Sequence, residues 1–365
     1  MEGIMKSEKL KIGIMTAWNS DSGVSLHAQP VVREWVRMGI KVKVFSYIRE
    51  DQHGLTTQEK DEPYVRRCFG TFDQTRFLDS GPILEENYDY FVVEDLGMLP
   101  QENFLRVFPE IRKKTAKLIH IYQDGEPKPP DSLFWQFQWD KVICFDQRQL
   151  NFLKNIYPGV DIVPFPCYPL RRGNQFFARI KLDLPLRKKI VLVFNQRGYN
   201  PFIPRFTDKE LAGANLLFLM LPYQGDIFDL RGGARLKIRG EKALRDIKFD
   251  RYLFAADMMI LDKDHERREK GIISSTAYQA LGTLCPIIAR DSAFFIPFKD
   301  EILKFSSEGE LKAAILTILD NKKKGEGLQR AAKKFVKERS PQIIARKLLE
   351  IFETIQGQGE SLPFL

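Results

Sequence analysis

The stretch that decides the fold lies at residues 269–295 and reads EKGIISSTAYQALGTLCPIIARDSAFF. Gly271 comes shortly before three hydroxyl side chains that can cap a helix, and residues that favour helix follow from Thr276 to Leu284. Pro286 ends the helical pattern, and the apolar run 287–289 has the length of a buried parallel strand. The stretch therefore predicts a loop, a helix and a strand of an α/β domain.

The start of this helix is a candidate phosphate-binding site. Its first backbone N–H groups have no partner inside the helix and lie at the positive end of the helix dipole. The candidate ligands are the loop and first-turn residues Gly271, Ile272, Ile273, Ser274 and Ser275. The alternative is that the serines only cap the helix, and the two roles are compatible because both use the same helix end.

The same kind of unit recurs along the chain. A strand at 11–16, a helix that ends at Gly39 and a strand at 41–47 predict a crossover within a parallel sheet. Further strands are predicted at 88–93, 117–122, 141–146 and 161–166, and a second series begins at Lys189. We predict a first Rossmann-like domain at 1–168, a proline- and arginine-rich linker at 169–186, a second Rossmann-like domain at 187–340, and a C-terminal helix and tail at 341–365.

The composition is that of a folded protein with sizeable cores. Of the 365 residues, 44% are hydrophobic and 29% are charged, which excludes an intrinsically disordered chain. No apolar run approaches the roughly 20 residues of a membrane span, and the N-terminus lacks the features of a signal peptide. The four cysteines are scattered, so we expect buried, reduced thiols and a cytoplasmic protein.

The formal net charge of +9 indicates an anionic partner. The basic residues are spread along the chain and no nucleic-acid-binding motif accompanies them, so we expect no nucleic acid. Two partners stay open: a polyanionic small substrate, and an anionic membrane to whose inner face the protein would attach peripherally.

Polar residues follow several of the predicted strands. Ligands of open parallel sheets bind beyond the carboxyl ends of the strands, and this rule selects Gly23, Glu94, Asp95, Gln123, Asp124 and Asp146. Arg197 follows the first strand of the second series and is a candidate bidentate partner of phosphate oxygens. Asp262 and Asp264 have the spacing of a metal motif, but we interpret them as a solvated loop and predict no metal site.

Two segments together resemble a known family. The first is RYLFAADMMIL at 251–261, followed by GIISSTAYQALGTLCPIIA at 271–289, and the second is DSGVSLHAQPVVREWVRMGIKVKVFS at 21–46. In these segments the chain resembles the large retaining, nucleotide-sugar-dependent family of glycosyltransferases with the GT-B fold, which includes mannosyl- and glucosyltransferases. The resemblance implies two Rossmann-like domains that face a central cleft, and a C-terminal helix that crosses back to the first domain.

The resemblance also implies an activity and a set of site residues. A sugar would pass from a nucleotide diphosphate sugar to a hydroxyl of a carbohydrate or lipid-linked acceptor, with retention and without a metal or other cofactor. The implied catalytic residues are Arg197, Gln123 and Asp124; the implied donor-binding residues are Gly23, Arg197, Gly271, Ile272, Ile273, Ser274, Ser275 and Gln279; and the implied acceptor-side residues are Glu94, Asp95 and His27.

The chain departs from the family pattern at several positions, and Gly271 stands where the first of the family's paired glutamates is expected. Gln279 stands where the family has the second of its paired glutamates, and Gln123 stands where the family often has a histidine. His120, two residues before the end of its strand, is predicted to be a core histidine. Two alternatives to the transferase follow: a non-catalytic or partner-dependent subunit of the same fold, and a GT-B nucleotide-sugar epimerase.

Overall fold

The computed structural model describes residues 10–51, 59–125, 128–129, 131–195, 215–222, 236–238, 246–263 and 270–356. The chain forms two compact units. The first contains Met1–Pro166, Lys270–Ile272 and Pro341–Leu365, and the second contains Cys167–Glu269 and Ile273–Ser340. Lys270–Ile272, three residues of the loop predicted in the stretch 269–295, therefore belong to the first unit.

The first unit is built on an eight-stranded sheet. Its strands are β1 (Lys11–Met15), β2 (Lys41–Tyr47), β3 (Val65–Gly70), β4 (Phe77–Leu78), β5 (Tyr88–Glu94), β6 (Thr115–Ile121), β7 (Lys141–Cys144) and β8 (Val160–Ile162). The strand order is β4-β3-β2-β1-β5-β6-β7-β8, and all neighbours are parallel except β3 and β4. The strand order reverses between β1 and β5, which makes this pair the topological switch point.

Four helices flank this sheet: α1 (Gly23–Arg37), α2 (Gly81–Leu84), α3 (Gln101–Lys113) and α4 (Gln147–Leu153). The Ser22 side chain accepts a hydrogen bond from the Ser25 backbone N–H and so caps α1. Gly39, at φ 85°, lets the chain turn into β2. The crossover predicted from the sequence is confirmed, because β1 and β2 are parallel neighbours in register from Lys11–Lys41 to Met15–Phe45.

The second unit has a six-stranded parallel sheet. Its strands are β9 (Lys189–Asn195), β10 (Leu216–Pro222), β11 (Leu236–Ile238), β12 (Met258–Leu261), β13 (Ile287–Arg290) and β14 (Leu303–Phe305), in the order β11-β10-β9-β12-β13-β14. Its helices are α5 (Gln175–Lys181), α6 (Asp246–Ala255), α7 (Ser275–Leu281), α8 (Glu308–Asp320) and α9 (Lys322–Glu338). The loop, helix and strand predicted at 269–295 are confirmed by α7 and β13.

The C-terminal helix α10 (Pro341–Gln356) belongs to the first unit, as predicted. The indole N–H of Trp35 in α1 donates to the Ala345 carbonyl at 3.1 Å, and the Tyr90 hydroxyl donates to the Phe352 carbonyl at 3.0 Å. The Phe352 ring lies 5.0 Å from that of Tyr90. The helix is thus held by a mixture of apolar contact and long-range hydrogen bonds.

Three further findings complete the fold. The segment predicted as a linker, 169–186, contains helix α5. All four cysteines are buried and unpaired, as expected from their spacing. Within the described ranges, no helix combines the length and the apolar character needed to cross a membrane.

Candidate functional site

A cluster of polar side chains lies at the switch point of the first sheet. Glu94 is the last residue of β5, Thr16 directly follows β1, and His27 lies on α1. Gln123 follows the neighbouring strand β6. The four side chains converge because strands β1, β5 and β6 are adjacent and parallel, so their carboxyl ends meet at one edge.

Glu94 is the centre of this cluster. Its side chain is fully buried, and its Oε1 lies 2.9 Å from Nδ1 of His27. Its Oε2 accepts hydrogen bonds from the Thr16 hydroxyl at 3.1 Å and from the Gln123 amide at 3.2 Å. An ionised carboxylate only accepts hydrogen bonds, and three donors converge on this one. Both oxygens of this buried carboxyl group therefore have hydrogen-bond partners.

His27 is oriented from two directions. Its ring is 1% exposed and lies 5.0 Å from the ring of Phe145 and 5.3 Å from that of Phe165. In the tautomer whose Nδ1–H donates to Glu94, the ring has its lone pair on Nε2. No residue of the described ranges hydrogen-bonds Nε2. A histidine held in this way can take a proton at Nε2 while Glu94 stabilises the resulting imidazolium.

A second pair of carboxylates lies next to this cluster. Asp95 adopts a left-handed backbone conformation with φ 51°, and its side chain accepts from the Gly97 backbone N–H at 3.0 Å. Asp124 accepts from Nζ of Lys128 at 2.8 Å, while its Oδ2 is buried without a partner in the described part of the chain. Burial, followed by the charge of Asp124, raises the pKa of Asp95 to about 7. This pair can hold a proton near neutral pH.

The loop segment Lys270–Ile272 is held within the first unit by Arg148. The Arg148 guanidinium donates to the Lys270 carbonyl at 2.7 Å and to the Ile272 carbonyl at 3.1 Å. Asp146, which caps α4, fixes the same guanidinium by accepting from its Nε at 3.0 Å. Asp146, selected by the strand-end rule, therefore anchors an arginine and a helix start in this structure.

Close approach of neighbouring groups explains why Gly271 of this loop and Gly125, which follows β6, are glycines. The Gly271 N–H donates to the Gly125 carbonyl at 2.7 Å. A Cβ at Gly271 would lie 2.2 Å from Cγ of Gln149, and one at Gly125 would lie 1.9 Å from Cγ2 of Ile272. The N–H that the sequence assigns to a phosphate is thus engaged with the protein in this structure.

The start of α7 lies in the second unit. Ser274 occupies the N-cap position but makes no side-chain capping bond, and its fully buried hydroxyl has no partner among the described residues. Thr276 accepts from Nζ of Lys263 at 3.4 Å, and Gln279 is buried in the helix. Ile273 and Ser275 are half-buried. A lysine and an unsatisfied hydroxyl at a helix start are groups that can bind a phosphate.

Gly23, Asp262 and Arg197 were also singled out from the sequence. Gly23 is the first residue of α1 rather than part of a loop. Asp262 is not solvated, because its side chain is 7% exposed and paired with Nε of Arg290 at 2.5 Å. Arg197 lies outside the described residues. Among the described residues, no three His, Cys, Asp or Glu side chains are grouped so that they could hold a metal ion.

His120 is a core residue, as predicted. It is fully buried, its Nδ1 lies 2.9 Å from the Val93 carbonyl, and its ring stacks on Trp139 at 5.1 Å. Burial lowers the pKa of His120 to about 4, so the ring is neutral. His120 therefore differs from His27, whose Nδ1 pairs with a carboxylate.

Several residues of these networks were not predicted from the sequence, namely Thr16, Gly125, Phe145, Arg148, Gln149 and Phe165. Thr16 could have been found by the strand-end rule, because it directly follows β1. Arg148 could have been noticed two residues after Asp146. Nothing in the sequence distinguishes Phe145 and Phe165 from other phenylalanines of the core.

Comparison with known proteins gives matches in structure at low sequence identity, and the chain matches no model of a protein family. A glycosyltransferase from Rickettsia africae ESF-5 has a TM-score of 0.65 at 14% identity, over 96% of this chain and 100% of the other. An α,α-trehalose-phosphate synthase (UDP-forming) from Burkholderia vietnamiensis has a TM-score of 0.64 at 10% identity, over 95% and 99%. A candidate UDP-N-acetylglucosamine 2-epimerase from Listeria monocytogenes has a TM-score of 0.58 at 14% identity, over 98% and 100%.

These matches extend over nearly the whole chain. They agree with two doubly wound parallel sheets and with a C-terminal helix that returns to the first unit. The fold of this protein is therefore GT-B, as the sequence resemblance implied.

Proposed function

We propose that this protein is a glycosyltransferase that moves a sugar from a nucleotide diphosphate sugar to an acceptor hydroxyl. The observation that supports the proposal most strongly is the buried pair of His27 and Glu94 at the switch point of a GT-B fold. The switch point is where ligands of doubly wound sheets bind. The comparisons add glycosyltransferases of similar fold over nearly the whole chain.

The proposed chemistry begins with the acceptor hydroxyl. Nε2 of His27 takes the hydroxyl proton as the oxygen attacks the anomeric carbon, and Glu94 stabilises the imidazolium that forms. Thr16 and Gln123 keep the carboxylate charged and oriented by donating to it. In this proposal Gln123 acts through Glu94, while Asp95 and Asp124 lie beside the acceptor.

The leaving diphosphate needs positive charge. The proposed sources are Arg197, which the sequence places after β9, and the start of α7 with Lys263 and the buried hydroxyl of Ser274. These groups replace a metal ion in the proposal, so we expect turnover to be unchanged by a chelator.

The stereochemical outcome is a separate question. Retention is what the sequence resemblance implies, and it needs no side-chain base. Inversion by direct displacement uses a base, and the His27–Glu94 pair is a specific argument for it. The anomeric configuration of the first product, read by NMR, decides between the two.

The proposal is tested by release of nucleoside diphosphate from a panel of nucleotide sugars, with and without carbohydrate and lipid-linked acceptors. We expect acceptor-dependent release by the wild type. His27→Gln should lower kcat by about 10²–10⁴-fold, because it removes the base and keeps a side chain of similar size. Acceptor-dependent turnover that is unchanged in His27→Gln would contradict the role of this residue.

The epimerase is the second candidate, favoured by the structural match to the Listeria monocytogenes protein. It requires that the donor be converted when no acceptor is present. The non-catalytic alternative requires that no donor be consumed under any condition. Donor consumption and sugar configuration, followed by NMR with and without acceptor, separate the three functions: the transferase consumes donor only with acceptor, the epimerase converts it without acceptor, and the non-catalytic protein does neither.

A further inference from the structure

Helix α5 has an unusual orientation for a surface helix. Phe176, Phe177 and Ile180 point outward, with 53%, 64% and 51% of their surface exposed. Arg179 and Ala178 point inward and are 5% and 7% exposed. An amphipathic surface helix normally buries its apolar side chains and exposes its arginine, so here the pattern is reversed.

Arg179 fixes this orientation. Its guanidinium donates to the carbonyls of Ala255 at 2.9 Å, Leu186 at 2.9 Å and Lys188 at 3.0 Å. It also pairs with Asp257 at 2.8 Å. Turning the helix over would break all four contacts and expose none of the partners that the guanidinium now satisfies. The outward position of the apolar side chains is therefore built into the second unit.

The three apolar side chains form one surface, which we call the α5 patch (Phe176, Phe177 and Ile180). The two phenylalanine rings are in edge contact with centroids 5.6 Å apart. Ile180 lies one helical turn after both of them, on the same face. Contiguous exposed apolar side chains of this kind mark interaction sites more often than scattered ones do.

Basic residues precede and follow the α5 patch along the chain. Arg172, Lys181 and Arg187 are exposed, and Lys188 is half-buried. None of the four forms an ion pair with a described residue, whereas Arg171 and Arg179 of the same segment are paired with aspartates. The only acidic residue between 170 and 189 is Asp183. The segment therefore has an apolar centre with unpaired positive charge around it.

We propose that the α5 patch docks on the surface of an anionic lipid bilayer. Phenylalanine and isoleucine side chains would enter the boundary between headgroups and acyl chains, and the surrounding cations would contact the lipid headgroups. The inference is independent of the proposed reaction, because it concerns a surface of the second unit that contains none of the candidate catalytic residues.

The size of the α5 patch argues against a second copy of the chain as its occupant. Three half-exposed side chains of this size present on the order of 300 Å² of surface. A stable protein–protein interface buries about 800 Å² on each partner and has few lysines at its centre. Shallow insertion into a bilayer needs only a small apolar surface flanked by positive charge.

The test is co-sedimentation of the full chain with vesicles of phosphatidylcholine, alone or in equal mixture with phosphatidylglycerol. We expect binding to the anionic vesicles only, weakened by salt. The double variant Phe176→Ser, Phe177→Ser should bind at least tenfold more weakly, because most of the inserting surface is removed. Lys181→Glu should lower binding at least fivefold.

Two matched controls lie elsewhere on the surface. Phe72, with 41% of its surface exposed, lies on the first unit, and Lys323 is exposed on α9. Phe72→Ser and Lys323→Glu should bind the anionic vesicles as the wild type does. Melting temperatures of all variants should equal that of the wild type, because every substituted side chain is exposed.

Two results would overturn the proposal. The first is that the Phe176→Ser, Phe177→Ser variant and the wild type do not differ in vesicle binding, whether both proteins bind equally or neither protein binds. The second is a wild-type dimer in light scattering that becomes monomeric in this variant while vesicles are not bound. The second result would assign the α5 patch to a contact between copies.

Discussion

Glu94 and Asp95 are adjacent carboxylates with opposite surroundings. Glu94 ends β5, is fully buried, and has hydrogen bonds from three side chains. Asp95 follows in a left-handed conformation, accepts from one backbone N–H, and lies close enough to Asp124 for the two charges to repel. The raised pKa of Asp95 therefore goes with burial, a nearby like charge and a single backbone donor.

The two carboxylates are therefore suited to different tasks. Glu94 has partners on both of its oxygens and can orient a histidine and stabilise its charge. Asp95 has a pKa raised to about 7, so it exchanges a proton near neutral pH. The predictions below test this difference, beginning with the largest effect.

The largest effect is expected from Glu94→Leu. The substitution leaves the donors of Thr16, His27 and Gln123 without their acceptor, so we expect a loss of about 3–5 kcal/mol in the free energy of unfolding. Glu94→Gln keeps an oxygen that can accept and should lose about 1–3 kcal/mol. Urea unfolding at neutral pH measures both.

The matched control is Glu353→Leu, which replaces an exposed glutamate of α10. We expect a change within about 0.5 kcal/mol. Equal losses for Glu94→Leu and Glu353→Leu would mean that the donors around Glu94 do not stabilise the fold.

Asp95→Asn should act in the opposite direction. Asparagine tolerates the left-handed conformation at φ 51° and its side-chain oxygen can still accept from Gly97. The substitution removes a carboxylate that is both desolvated and repelled by Asp124. We therefore expect the variant to be more stable than the wild type above neutral pH.

The pH dependence of this gain has a defined sign. The pKa of Asp95 is raised from its ordinary value of 3.8 to about 7 in the folded protein, so the folded state binds the proton more tightly. The stability that this group contributes is fully present below about pH 4 and is lost as the pH rises through about 7. Unfolding at a series of pH values should show that the difference in the free energy of unfolding between variant and wild type increases over that interval. A gap that is constant with pH would contradict the raised pKa.

A smaller effect is expected from Asp124→Asn. Removing the charge of Asp124 should lower the pKa of Asp95, but burial, the larger cause, stays in place. In this variant the loss of stability should therefore end at a lower pH than in the wild type, and its total should be smaller. The measurement is the same series of unfolding curves.

Lys128→Ala should change the pKa of Asp95 in the opposite direction. Lys128 pairs with Asp124 at 2.8 Å and its charge lowers the pKa of Asp95. Its loss should raise the pKa of Asp95 further, so the loss of stability should continue to higher pH than in the wild type. Shifts in the same direction for Asp124→Asn and Lys128→Ala would show that the two charges do not act on Asp95 as described.

The regular part of the fold could be predicted from the sequence. The C-terminal helix predicted within 341–365 is α10, and the crossover between β1 and β2 followed from periodicity and from the helix end at Gly39. Strand β3 was missed, because the segment 48–86 is polar and rich in turns. The end of β3 is fixed by Asp51, a buried residue that accepts from the backbone N–H groups of Thr71 and Phe72. Such contacts leave no periodic signal in the sequence.

The candidate site could be predicted only in part. The strand-end rule selected Glu94 and Gln123, since the carboxyl ends of parallel strands meet at one edge. It could not show that Glu94 pairs with His27, which depends on how α1 lies on the sheet. It also could not show that Lys270–Ile272 belongs to the first unit, because Arg148 holds this segment across more than a hundred residues of sequence.

The most decisive experiment is a thermal-shift panel with UDP, GDP, ADP and CDP on the wild type and on Arg197→Ala, with Arg66→Ala as an exposed-arginine control. A ligand that binds only the folded state raises its melting temperature. We predict a shift with one of the four diphosphates that is lost in Arg197→Ala and kept in Arg66→Ala. No shift with any diphosphate would contradict the proposal that this protein uses a nucleotide diphosphate sugar.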